Sequence, residues 1–212
     1  MRRVLRVLAC LSASASCGGA ALPPPSEAKQ APAVAPPTLM PASAFPFDFQ
    51  WRQRVTARWP SGTQGFEAVL QKREGQLILV GLSALGLPGF VFRLTETGEL
   101  HVDNRTGQPL PFEPAYVIAD VERVFFPWLP AAVPHFTGHR SGERAGTRVF
   151  ERFERGQLRE RRLARETAAG TEQIEIHYQQ AGAGADAPAR AELRNRLLGY
   201  ELIIETLEQT RL

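Results

Sequence analysis

From Trp51 onward the chain alternates apolar and polar residues with a period of two, and that leaves little choice of fold class. Only an extended strand sends successive side chains to opposite faces, so sustained alternation means strands with one covered face and one wet face. From Trp51 to Trp59, the residues Trp51, Val55, Ala57 and Trp59 share one face, and Arg52, Arg54, Thr56 and Arg58 share the other. Phe66, Ala68 and Leu70 repeat the pattern, as do Phe90, Phe92 and Leu94, then Leu100 and Val102. Leu77 to Leu82 is apolar on both faces, which predicts a central strand covered twice. Glu74-Gly75 and Thr97-Gly98 mark hairpin turns.

One segment changes period. Phe112-Glu113-Pro114 opens a helix with proline near its first position, Val117, Val121, Val124 and Phe125 form a stripe with Ile118 beside it, and Pro127 stops it. A second, short helix has room near Leu85 or Trp128. After a loop rich in Pro, Gly and His, strands resume over 148–154, 158–165, 174–178 and 197–207, the last placing Leu198, Tyr200, Leu202 and Ile204 on one face. The expected architecture is mainly β with one or two helices (α+β): about five strands, a helix, then about four strands. A long antiparallel sheet with one covering helix curls around an apolar interior. Such an interior is either filled by side chains or open to an apolar ligand.

The N-terminus has another purpose. Met1-Arg2-Arg3 is basic, Val4 to Leu11 is apolar apart from Arg6, and Ser12-Ala13-Ser14-Ala15-Ser16-Cys17-Gly18-Gly19 is small. That order describes a secretory signal peptide over residues 1–16. A small residue before a cysteine at the end of such a signal resembles the bacterial lipobox, which implies lipidation of Cys17. Cys10, after Val7-Leu8-Ala9, fits the local pattern but would leave too short an apolar run; the remaining reading is a cleaved signal with no lipid. Residues 17–44 are rich in Pro and Ala and read as a stiff tether, with a single β-rich domain over 45–212. No later apolar run approaches the roughly 20 residues of a membrane-crossing helix. Both cysteines lie in the signal region, so the domain is expected to hold no disulfide and no thiolate site.

The formal charge of +3 comes from Arg2, Arg3 and Arg6. Without the signal the chain is balanced and lacks the field that nucleic-acid binding uses. Catalytic signatures are poor. Gly81-Leu82-Ser83-Ala84-Leu85-Gly86 has the wrong spacing for a nucleophile elbow, and its apolar tip is expected to pack on its own core, with contact to a membrane or donor protein as the alternative. His135 and His139 are four apart, but Pro134 and Gly138 oppose a helix, so no metal site is expected. The arginine run from Arg144 to Arg165, interleaved with Glu143, Glu151, Glu154, Glu160 and Glu166, reads as solvated strand faces with weak pairing, with a docking surface for an acidic partner or lipid headgroups as the alternative.

Several stretches together carry a family resemblance: Trp51-Arg52-Gln53-Arg54-Val55, the run from Leu77 to Ser83 with Leu85-Gly86, Pro109-Leu110-Pro111-Phe112-Glu113-Pro114, and Phe126-Pro127-Trp128. With these the chain resembles a Gram-negative lipoprotein family, domain of unknown function 3261, which looks related to the lipoprotein-sorting proteins LolA and LolB. The resemblance implies a curved antiparallel sheet, a half-open β-barrel lidded by helix, that binds lipid or the acyl chains of a lipoprotein. It implies a place in the cell envelope, lipid-anchored to the outer membrane and facing the periplasm, and a periplasmic carrier protein as partner. A monomer with no cofactor and no catalytic residue is expected. Trp51, Phe66, Leu79, Phe90, Phe92, Tyr200 and Leu202 are the residues expected to line the lipid cavity. The alternatives are a non-catalytic envelope scaffold and, further off, a lipid hydrolase or thioesterase.

Overall fold

The computed structural model describes residues 36–83, 85–110, 112–130, 135–181 and 185–212. The signal, Cys10, Cys17 and most of the tether lie outside them. Among the described residues eleven strands form one sheet: β1 (Phe49–Trp59), β2 (Gly62–Arg73), β3 (Gln76–Leu82), β4 (Pro88–Leu94), β5 (Leu100–Asn104), β6 (Gly138–Arg144), β7 (Thr147–Glu154), β8 (Gln157–Thr167), β9 (Gly170–Gln179), β10 (Arg190–Asn195) and β11 (Tyr200–Arg211). The helix α1 (Pro114–Phe125) separates β5 from β6, and a short 3-10 turn covers Ala42–Ala44.

The sheet order is β5-β4-β3-β2-β1-β11-β10-β9-β8-β7-β6, with every pairing antiparallel. Two meanders, one from each half of the chain, are joined where β1 pairs with β11. This order puts β5 and β6 on opposite edges, so the segment between them must cross a face of the sheet. Its helix is thereby laid on the concave side. A sheet of this size curls through its own strand twist, and here it stays open, with β5 and β6 as free ends of the order.

Three expectations are corrected. β3 is covered once: Leu77, Leu79 and Gly81 are buried, whereas Ile78, Val80 and Leu82 are half-buried on the outer face. Among the described residues six strands follow the helix and not about four; β6 and β10 carry small and charged residues with too little apolar contrast to show in the sequence. The second helical element sits at Ala42–Ala44 instead of near Leu85 or Trp128. That turn belongs to a segment read from composition as tether. Ala42 is fully buried, its N–H donates to Thr95 O, and Leu39 and Met40 pack on the core.

α1 begins as expected, with Pro114 in its first turn. Its burial differs from a simple stripe. Every residue from Ile118 to Val124 is buried, including Asp120, Glu122 and Arg123. A helix covered all round must find a partner for each charge it carries.

Candidate functional site

The concave face divides into two chemically different halves. On β1 to β4 it is apolar apart from Gln53: Trp51, Ala68, Leu70, Leu77, Leu79, Phe90, Phe92 and Leu94 are buried. On β7 to β9 the same face alternates apolar residues with charges: Val149 with Glu151, Leu163 with Arg161, Ile174 and Ile176 with Glu172.

Rings organise the apolar half. Phe90 stacks on Phe92 at 4.7 Å between centroids and meets Phe66 and Phe112 edge-on at 5.7 and 5.6 Å. The Phe90 ring lies flat over its cross-strand partner Gly81, where any Cβ would overlap it. Trp51 stacks on Phe49 at 3.8 Å and meets Phe125 of α1 at 5.1 Å. Phe45 bridges Phe49 and Phe126, so residues preceding β1 close over this half.

Polar bonds hold the other half to α1. Arg123 donates to Asp120 and Glu172, each at 2.8 Å. Glu172 also accepts from Asn195 at 3.0 Å and from Arg165 at 3.0 Å, and Tyr200 donates to Asp120 at 2.6 Å. Arg161 donates to Glu151 through two nitrogens at 2.9 and 2.7 Å, and to the carbonyls of Arg123 and Val124 at 2.7 and 3.1 Å. Tyr178 adds a bond to Val124 O at 3.0 Å, and burial pushes its hydroxyl up to about 12. The last carbonyls of a helix have no partner within it and carry the negative end of its dipole, so a buried guanidinium suits them. Burial opposes the charge on Arg123, but Asp120, Tyr200 and Glu172 outweigh it and keep the guanidinium protonated. The arginine run is therefore not simply solvated: Glu151, Glu160 and Arg161 are buried.

All seven expected lining residues fall on the concave face by strand register. Trp51, Leu79, Phe90 and Phe92 are buried, and Phe66, Tyr200 and Leu202 are half-buried. They do not form one group: Trp51, Phe66, Leu79, Phe90 and Phe92 belong to the ring-lined half, Tyr200 is tied to the polar network, and Leu202 lies opposite Ala57 and Leu193. Two cavities flank the C-terminal half of α1, of about 350 Å3 and about 250 Å3, and none of the seven lines either. Three buried polar atoms at the seam, Trp51 Nε1, Gln53 Nε2 and Thr206 Oγ1, have no hydrogen-bond partner among the described residues.

The sequence reading missed the buried charges. Their signal was parity: Glu151 shares a face with Val149 and Phe153, and Glu172 with Ile174, Ile176 and Tyr178. Ser83 has a local role, its hydroxyl accepting from Leu87 N–H at 3.2 Å. His139 stacks on Phe150. Among the described residues no cluster of three or more His, Cys, Asp or Glu is placed to hold a metal, and no helix is long and apolar enough to cross a membrane. The β3–β4 turn does not pack on the core: Leu85 is 85% and Leu87 62% exposed.

These features define an open, curved antiparallel sheet that cradles one buried helix. The chain belongs to the family described as protein of unknown function (DUF3261), whose model matches residues 50–208. No curated protein matches it. Among solved structures it is similar to a LolA superfamily protein from Nitrosomonas europaea, with a TM-score of 0.48 and 10% identity over 79% of this chain and 88% of that one. It is also similar to a putative outer membrane lipoprotein-sorting protein domain from Vibrio parahaemolyticus, with a TM-score of 0.40 and 11% identity over 78% of this chain and 85% of that one.

Proposed function

We propose that this protein is an envelope lipoprotein, anchored through lipid on Cys17, that receives acyl chains of a lipid or lipoprotein on its concave face and carries out no catalysis. One observation carries the reading: α1 is hydrogen-bonded to β8, β9 and β11, whereas it meets β1 through the ring of Phe125, and Phe112, just before the helix, meets β4 through its ring. Ring contacts can be exchanged for ring-to-alkyl contacts without stranding a donor, and each buried methylene contributes about 0.8 kcal/mol. The ring-lined half is thus the part of the interior that can exchange its cover for a ligand while α1 stays docked. Trp51, Phe66, Leu79, Phe90 and Phe92 would line it, with Tyr200 and Leu202 across the seam. Gln53 and Thr206, opposite each other on β1 and β11, offer buried polar groups to an ester or amide oxygen. The exposed Leu85 and Leu87 give the turn a means of touching the membrane or a periplasmic donor. A monomer at the outer membrane, facing the periplasm, suits this role.

The test is solvent extraction of the purified chain with mass spectrometry of the extract, followed by titration of the stripped protein with anilinonaphthalene sulfonate. Co-purified acyl lipid that displaces the probe is the expected result. A chain that yields no lipid and binds no probe would leave the envelope scaffold as its function.

A further inference from the structure

Residues 37–41, the side of α1 carrying Ala119 and Glu122, and strands β7 to β9 enclose the cavity of about 350 Å3. That volume is at the lower end for small-molecule sites, roughly 300–1,000 Å3. At about 30 Å3 for each water-sized group it holds about a dozen, which matches one medium-length alkyl chain and not the paired chains of a membrane lipid. Leu39, Met40, Trp128, Leu163 and Ile174 supply apolar wall.

Four ionisable side chains share the lining: Glu122, Arg123, Arg165 and Glu172. Both oxygens of Glu172 are engaged, Oε1 by Arg123 and Asn195 and Oε2 by Arg165. Arg123 is further held by Asp120. Arg165 gives one nitrogen to Glu172 while 26% of its side chain remains exposed. A guanidinium has five donors in a planar fork that matches a carboxylate. Glu122 accepts from Met40 N–H at 2.9 Å, and burial pushes its carboxyl up to about 8, so it is uncharged at neutral pH. Asp120 and Glu172 balance the two guanidiniums, and Arg165, the more exposed of the two, is the one whose fork a ligand can reach.

We propose that this cavity binds one single-chain anionic amphiphile, a fatty carboxylate, with its alkyl chain between Met40, Trp128 and Leu163 and its head group on Arg165. The site lies on the opposite half of the concave face from the ring-lined region and does not depend on acyl chains being bound there.

The purified full-length chain is titrated with dodecanoate and, as the uncharged comparator, dodecanol, by calorimetry and by quenching of tryptophan emission with bromododecanoate. Saturable one-to-one binding of dodecanoate is expected. Arg165→Met should weaken dodecanoate by about ten-fold or more and leave dodecanol unchanged, since only the charged head loses its partner. Ala119→Phe, which fills the cavity from the helix, should abolish binding of both. The proposal is overturned if the wild type shows no saturable binding, or if Arg165→Met binds dodecanoate as the wild type does. Should Ala119→Phe fail to fold, the partly exposed Arg165 decides alone. Acyl lipid in the solvent extract with no dodecanoate binding would sink this site while leaving the acyl-chain function standing.

Discussion

Glu122 ties charge state to structure at the scale of a single residue. It is buried on α1, its partner is a backbone N–H of the segment before β1, and burial raises its carboxyl from 4.5 to about 8. Between those values the folded chain holds a proton that the unfolded chain has released. Stability from this group is therefore complete below the unfolded value and is lost progressively as pH rises through the folded one. Every tenfold difference in proton affinity between the two states corresponds to about 1.4 kcal/mol, so a few kcal/mol are at stake across the window. Glu122→Gln keeps an acceptor for Met40 N–H and removes the proton. Urea unfolding should give the variant and wild type similar stability near about pH 5, with the variant ahead by roughly 2 kcal/mol or more near about pH 9. Parallel pH profiles would show that Glu122 is ionised throughout.

At the scale of one element, α1 depends on where its C-terminal carbonyls find donors. Arg161 reaches two of them from β8 and holds Glu151 at the same time. Arg161→Met would remove the side-chain donor of Arg123 O, leave Val124 O to Tyr178 alone, and leave Glu151, buried, with only Arg140 at 3.4 Å. Removing one partner of a buried pair costs about 3–5 kcal/mol, and equilibrium unfolding should show a loss of that size. Arg194 and Glu201, an exposed pair on β10 and β11, give the control: Arg194→Met should cost less than about 1 kcal/mol. Equal losses in the two variants would mean that the helix does not rely on its buried guanidinium. The helix itself was legible from Pro114, the valine stripe and Pro127. Its polar bonds were not, because a charge on a helix or strand reads as solvent-facing until its neighbours in space are known.

For the whole molecule, the sheet order separates the stable centre from the free edges. β1 and β11 come from opposite ends of the domain and lie side by side in the middle, each paired on both flanks. β5 and β6 are each paired on one flank only. Amides whose release requires the seam to open should be protected by close to the global unfolding energy, and edge amides by much less. Hydrogen exchange followed by mass spectrometry should label β6 and β5 first and residues of β1 last. Early labelling across β1 would mean that the two meanders open independently and the seam is not the core of the fold.

The sequence alone determined the local states of the chain. Alternation specified β1, β2 and β4, a short apolar run specified β3, Glu74-Gly75 specified the turn between β2 and β3, and a change of period with flanking prolines specified α1. It also put Trp51, Phe66, Leu79, Phe90, Phe92, Tyr200 and Leu202 on one face, because parity along a strand is a local property. Tertiary structure decided what each face meets. Pairing of β1 with β11 moved β5 and β6 to opposite edges, drew the helix across the concave side, and brought Arg123 to Glu172 and Arg161 to the helix end. Burial of a charge is the sum of contacts made by distant segments, and no window of sequence contains those segments together. The same holds for the cavity under residues 37–41, whose walls come from three separate parts of the chain.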